Sequence, residues 1–112
     1  MRITGLKVET TGQGRNLVLV HGWGMNAGVW APLVELLAGG FRVTVVELPG
    51  HGDSDYDAGL NSLDDWTNSL LHAAPERAVW LGWSRGGQLA MNAALLAPAR
   101  VSGLILMAST PR

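Results

Sequence analysis

The sequence lacks cysteine, long hydrophobic runs and an excess of charge of one sign. Without cysteine, the chain has no disulfides, thiolate metal sites or cysteine nucleophile. A net charge of −1 gives no general attraction to nucleic acid or to an anionic membrane surface, so neither is an expected partner. The apolar runs, such as LVLV at 17–20 and LILMA at 104–108, are far shorter than the roughly 20 residues of a membrane span.

The first ten residues, MRITGLKVET, contain no continuous apolar segment, so no signal peptide is visible. We therefore expect a soluble, cytoplasmic protein. Hydrophobic residues make up 47% of the chain and charged residues 15%, which is typical of a globular protein rather than of a disordered one. A length of 112 residues allows one domain at most.

Short apolar runs rich in β-branched residues predict strands that are buried on both faces. They cover residues 17–20, 43–48, 78–81 and 101–107. A more strictly alternating stretch at 3–10 predicts an edge strand.

Between these runs, apolar residues at helical spacing predict three helices. The first helix carries an apolar face that includes Trp30 and ends at Gly39. The second begins at Ser62 and is expected to bury the side chains of Leu63, Trp66 and Leu70. The third runs from Arg85 to Ala97 and has a face of small residues: Gly86, Ala90, Ala93, Ala94 and Ala97.

This order of elements predicts the α/β class, as a three-layer α/β/α sandwich around a mainly parallel sheet. In such sheets ligands bind beyond the carboxyl ends of the strands. Three glycine-rich segments follow predicted strands at that edge: HGWGMN at 21–26, LPGHGDS at 48–54 and GWSRGG at 82–87. We expect these three loops to converge on one rim.

The third loop matches the G-x-S-x-G pattern of a serine nucleophile on a sharp strand-to-helix turn. Such a turn strains its corner residue and leaves no room for side chains two positions away on either side. Gly82 and Gly86, which have no side chains, occupy those two positions. The corner residue, Ser84, would lie at a helix N-terminus, where N–H groups favour developing negative charge. Ser84 is therefore the predicted nucleophile. The alternative is a helix-capping serine beside glycines that serve only packing.

An oxyanion hole needs two N–H donors that point at one position. The amide of Arg85 is the predicted first donor. The amide of Trp23, in the segment Gly22–Gly24, is the predicted second donor, and a simple glycine turn is the alternative for this segment. His21 and Trp83 flank the predicted site and are candidate pocket residues.

The motifs LVLVHGWG, VVELPGHGDS, WLGWSRGGQLA and LILMAS, in this order, resemble the α/β-hydrolase superfamily along essentially the whole chain. Within it, TGQG, LVHGWGMNAGVW and AVWLGWSRGGQLA are most similar to the carboxylesterases of biotin synthesis. The resemblance implies ester hydrolysis through an acyl-serine at Ser84, without a metal or organic cofactor. It also implies the methyl ester of pimeloyl-acyl-carrier-protein as substrate and the carrier protein as partner. A thioesterase, a carbon–carbon bond hydrolase or a menaquinone-pathway lyase of the same fold is the alternative.

Arg85 departs from the superfamily pattern, because this position is usually apolar or uncharged. Its guanidinium either points to solvent or enters the pocket, where it would pair with a substrate carboxylate or a local acid.

The triad acid and histidine of the superfamily follow later strands. We therefore expect residues 1–112 to be the N-terminal part of a single α/β-hydrolase domain whose acid, histidine and cap lie elsewhere. The alternative within the chain is that His21 or His51 acts as the base. The non-enzymatic alternative is that the chain is a catalytically incomplete scaffold. The last predicted strand would leave an unpaired edge, which favours self-association.

Overall fold

The computed structural model describes residues 7–21, 27–47 and 63–107. The strands of its sheet are β1 (Val8–Thr11), β2 (Arg15–Val20), β3 (Phe41–Val46), β4 (Ala78–Trp83) and β5 (Val101–Met107). The helices are α1 (Ala31–Leu37), α2 (Leu63–Ala73) and α3 (Arg85–Leu96), and short 3₁₀ turns at Ala27–Trp30 and Pro98–Arg100 precede α1 and β5.

The five strands form one sheet in the order β1-β3-β2-β4-β5. Only β1 is antiparallel to its neighbour, so the predicted edge strand and the mainly parallel sheet are both confirmed. Val20 at the end of β2 lies beside Val46 of β3 and Gly82 of β4. The carboxyl ends of these three strands therefore meet at one edge of the sheet, as expected.

Successive residues of a strand point to opposite faces, which explains the uninterrupted apolar runs. Val18 and Val20 of β2 pack under α2 and α3, whereas Leu17 and Leu19 pack under α1. The first cluster also contains Val46, Leu70, Leu71, Ala78, Trp80, Leu89, Ala90 and Ala93. The second also contains Trp30, Val43, Val45 and Leu81. Helices cover both faces of the sheet, which confirms the three-layer sandwich.

The prediction that α2 buries Leu63 was wrong. The Leu63 side chain is 45% exposed, whereas Leu70 is fully buried and Trp66 is half-buried against the same core. Leu63 is the first residue of α2, and its side chain lines an open groove with Leu95 of α3 and Leu104 of β5. Helical spacing shows which residues share a face, but not how far the neighbouring layer extends. Ser62, the predicted start of this helix, lies outside the described residues.

Side-chain hydrogen bonds join α2 to α3. The Asn92 amide donates to Asp64 Oδ1 at 2.8 Å and to Thr67 Oγ1 at 3.0 Å. These bonds link the middle of α3 to the first two turns of α2, and so they fix the helix that begins at the predicted nucleophile.

Among the helices of the described ranges, none has both the length and the apolar character that a bilayer crossing requires.

Candidate active site

Ser84 occupies a strained turn between β4 and α3. Its φ is 58° and its ψ is −120°, and among the described residues other than glycine it alone has a positive φ. Such a conformation costs an L-residue on the order of 1–3 kcal/mol and persists only where the surrounding structure enforces it. The sharp corner predicted from the sequence is therefore present at Ser84.

Two main-chain hydrogen bonds hold this turn. The Ser84 N–H donates to the carbonyl oxygen of Met107 at 2.8 Å, and the Gly87 N–H donates to the carbonyl oxygen of Ser84 at 2.9 Å. The Ser84 side chain makes no capping hydrogen bond to α3, so the alternative of a helix-capping serine was wrong.

The two glycines of the motif lie where side chains would collide with the backbone. A Cβ atom on Gly82 would lie 2.5 Å from Gly87 Cα, and one on Gly86 would lie 2.5 Å from the His21 carbonyl oxygen. Real Cβ atoms essentially never approach so closely. Glycine at these positions lets α3 begin directly against the ends of β4 and β2.

His21 follows the last residue of β2, and its side chain is fully buried. Its carbonyl oxygen lies against Gly86, so the segment that leads into the first glycine-rich loop begins next to the turn at Ser84. The role of His21 as a base for Ser84 stays a prediction.

Trp83 is half-buried and packs on the α1 side of the sheet. The centroid of its ring lies 5.8 Å from that of Trp30, and the two planes are inclined by 58°, a favourable aromatic arrangement. Its ring therefore joins the core next to Ser84. The further prediction that Trp83 lines an acyl pocket is untested.

Arg85 is the first residue of α3, and its side chain is exposed. Its guanidinium donates to Gln88 Oε1 at 2.7 Å, one turn along the helix. A cation in the first turn opposes the helix dipole, and that turn contains no acidic residue to offset it. Within the described part of the chain the Arg85 side chain is exposed, and its pairing with a substrate carboxylate stays a prediction.

Several predicted site residues lie outside the described ranges. They are Gly22, Trp23 and Gly24, which would form the second oxyanion donor, and His51, the other candidate base. Their roles stay predictions.

Sequence reasoning missed Met107, whose carbonyl accepts the Ser84 N–H. No side-chain motif marks this position, because the contact is made by the main chain. The contact follows from the pairing of Met107 with Trp83 in the β4–β5 ladder, which only the structure shows.

A family model for the alpha/beta hydrolase fold matches residues 15–112. The curated pimeloyl-[acyl-carrier protein] methyl ester esterase of Aliivibrio salmonicida is 51% identical over 111 residues, which cover 97% of this chain and 41% of that protein. The esterase of the same name from Edwardsiella ictaluri is 54% identical over 104 residues, which cover 92% of this chain and 40% of that protein. The chain thus spans about two fifths of the length of these relatives.

Solved structures resemble the chain over the same extent. A thermophilic esterase from Thermogutta terrifontis superposes with a TM-score of 0.88 at 31% identity, covering 96% of this chain and 41% of that one. A hydrolase from Pseudomonas aeruginosa superposes with a TM-score of 0.89 at 28% identity, covering 94% of this chain and 42% of that one.

Proposed function

The chain belongs to the α/β-hydrolase family, and from this premise we propose that it supplies the nucleophile of a serine carboxylesterase. The observation that carries the proposal is the strained backbone of Ser84 at the corner between β4 and α3. A serine in this position presents its hydroxyl at the positive end of a helix dipole.

In the proposed reaction the Ser84 oxygen attacks the ester carbonyl and gives up its proton to a general base. The carbonyl oxygen becomes an oxyanion, which accepts hydrogen bonds from the amides of Arg85 and Trp23. Collapse of this intermediate expels the alcohol, which takes the proton from the base as it leaves, and an acyl group remains on Ser84. Water, activated by the same base, then releases the carboxylic acid and restores the serine.

We propose that the base is a histidine, oriented by an acid, and that both come from polypeptide outside residues 1–112. The lengths of the curated relatives support this, because more than half of each lies beyond the matched segment. Under this proposal the chain holds the nucleophile and the oxyanion donors but not the groups that activate them.

The substrate class we propose is a methyl ester of a carrier-bound acyl chain, specifically that of pimeloyl-acyl-carrier-protein. Identities of 51% and 54% to esterases that carry this substrate in their names support it. The acyl-carrier-protein would be the partner that presents the ester, and no metal or organic cofactor takes part in the proposed steps.

The nucleophile can be tested with a fluorophosphonate and intact-mass spectrometry. We expect residues 1–112 alone to show no adduct at Ser84, because no activated base is present. We expect a chimaera that continues into the unmatched part of the Aliivibrio salmonicida esterase to be labelled at Ser84 and to hydrolyse the pimeloyl methyl ester. Ser84→Ala should remove both properties.

A folded chimaera that stays unlabelled, while the parent esterase is labelled, would refute the role of Ser84. Labelling of residues 1–112 alone would instead show that the base lies within this chain. His21→Gln and His51→Gln would then identify which histidine serves.

Arg85 is expected to favour esters that carry a negative charge near the scissile bond. In the chimaera, Arg85→Leu should lower kcat/KM for the half-ester of a dicarboxylic acid by about fivefold at low salt, the size typical of an exposed charge pair. Activity on the matching dimethyl ester should not change. Equal effects on both esters would contradict this prediction and leave Arg85 as an amide donor only.

A further inference from the structure

Three titratable residues lie side by side at the edge of the sheet that carries Ser84. Lys7 lies directly opposite Glu47 across the antiparallel β1–β3 pair, because the Glu47 N–H donates to the Lys7 carbonyl oxygen at 3.0 Å. In the parallel β2–β3 ladder the last residues of the two strands pair with each other, so the residues that follow, His21 and Glu47, are also neighbours. Lys7, Glu47 and His21 therefore form one row across three strands.

The side chains of this row lie on the α1 face of the sheet. Residues of a strand alternate between the two faces, and Leu19 and Val45, two positions before His21 and Glu47, both belong to the core under α1. Residues that lie directly opposite each other share a face, which places Lys7 there as well. The side chains of His21 and Glu47 are 0% and 5% exposed, and Lys7 is half-buried. Among the described residues, these are the only buried imidazole and the only buried carboxylate.

A buried carboxylate requires a cation or a hydrogen-bond donor beside it, because an unpaired buried charge is strongly destabilising. Lys7 brings an ammonium group to one side of Glu47, and His21 brings an imidazole N–H to the other. Beyond His21 the row continues on β4 with the uncharged Trp83, and Glu35, the one acidic residue of α1, is exposed. In the described ranges, Glu47 is thus the one carboxylate adjacent to His21.

We infer that Glu47 is a positioning residue whose carboxylate accepts a hydrogen bond from the imidazole of His21, while Lys7 balances the carboxylate charge from the other side. A carboxylate bonded to one ring nitrogen fixes which nitrogen carries the proton and how the ring is oriented. Hydrogen bonds to an ionised acceptor are about twice as strong as those between neutral groups. The bond therefore holds His21 in one orientation at the end of β2.

This bond acts next to the predicted oxyanion hole. His21 directly precedes residues 22–26, which include the predicted second oxyanion donor, and its carbonyl oxygen lies against Gly86 in the first turn of α3. A fixed His21 sets the point from which that segment starts relative to Ser84. The effect on catalysis rests on the proposed function, whereas the bond between Glu47 and His21 does not.

Nuclear magnetic resonance of the ¹⁵N-histidine-labelled chain tests the bond, since the chain contains only three histidines. We expect the His21 imidazole N–H to give a downfield proton signal that is protected from exchange with water, assigned by its loss in His21→Gln. Glu47→Gln replaces the ionised acceptor with a neutral one and should move this signal upfield. Glu9→Gln is the matched control, because Glu9 is an exposed carboxylate of β1, and it should leave the signal in place.

Kinetics of the chimaera test the positioning role. Glu47→Gln should lower kcat at least about tenfold and change KM less than about twofold, because a displaced oxyanion donor weakens binding of the transition state rather than of the substrate. Glu47→Asp keeps the carboxylate and should recover most of kcat. Glu9→Gln should leave both constants unchanged.

Two results would overturn the inference. The first is a His21 signal that is the same in Glu47→Gln and in the unmodified chain, which would show that the carboxylate does not bond the ring. The second is a signal that moves without a loss of kcat, which would show that the bond positions nothing used in catalysis. If Glu47→Gln does not fold, Glu47→Asp serves for the first test, because its carboxylate lies one methylene farther from the ring and should also shift the signal. An unmodified chimaera without activity would instead contradict the proposed function.

Discussion

Gly86→Ala is expected to lower the free energy of unfolding by about 3 kcal/mol, the upper part of the range for overpacked interiors. The added Cβ would lie 2.5 Å from the His21 carbonyl oxygen and closer still to that of Val20. Both obstacles are main-chain atoms of a buried strand end, so no side-chain rotation relieves the contact. Helix α3 must move away from β2, and the turn at Ser84 must move with it. Urea denaturation followed by circular dichroism measures the loss.

Gly39→Ala is the matched control for this prediction. Gly39 lies in the turn after α1, and a Cβ atom there would meet nothing within 4 Å. Its stability should stay within about 0.5 kcal/mol of the unmodified chain. Equal stabilities of the two variants would show that the close approach of α3 to β2 is not a constraint on the fold.

Arg100→Ala is expected to cost about 2–3 kcal/mol, the value of losing hydrogen bonds from a charged donor. The Arg100 guanidinium donates to four main-chain carbonyls at and just after the end of α2. They are those of Leu71 at 2.7 Å, Ala74 at 3.3 Å, Pro75 at 3.0 Å and Glu76 at 2.9 Å. A cation is also favoured at the negative end of the helix dipole. Thermal and urea unfolding measure the effect.

Two further variants separate this set of hydrogen bonds from a general effect of charge. Arg100→Lys keeps the positive charge but not the planar set of donors, so it should recover less than half of the loss. Arg77→Ala removes an exposed arginine from the segment between α2 and β4, and it should change stability by less than about 0.5 kcal/mol. Full recovery by lysine would show that charge alone accounts for the contribution of Arg100.

The sequence predicted the turn at Ser84 because the pattern that marks it is local, although Met107 and the end of β2 also hold the turn. The β4 run, the flanking glycines and the helical pattern after Ser84 lie within one continuous segment, and each is visible in residue types alone. The same holds for β2, whose alternation of side chains between two cores follows from the period of a strand. Local periodicity therefore determined the class of fold and the place of the predicted nucleophile.

The tertiary structure decided which side chains of these elements are buried against their neighbours. Helical spacing placed Leu63 on the same face as Leu70, but only the packing of α2 against α3 shows that Leu63 lies beyond the core. This outcome depends on how far the neighbouring elements extend, which residue types along one segment do not record.

By itself, the sequence determined an α/β sandwich with a serine at a strand-to-helix corner, because strand and helix periods and the space required around that corner are local properties. Only the tertiary structure decided the strand order, which places β2 between β3 and β4 and brings Met107 of β5 to the Ser84 amide. Strand order is set by pairing between segments far apart in the chain. The physical reason is that main-chain hydrogen bonds form with any residue type, so the sequence carries little trace of them.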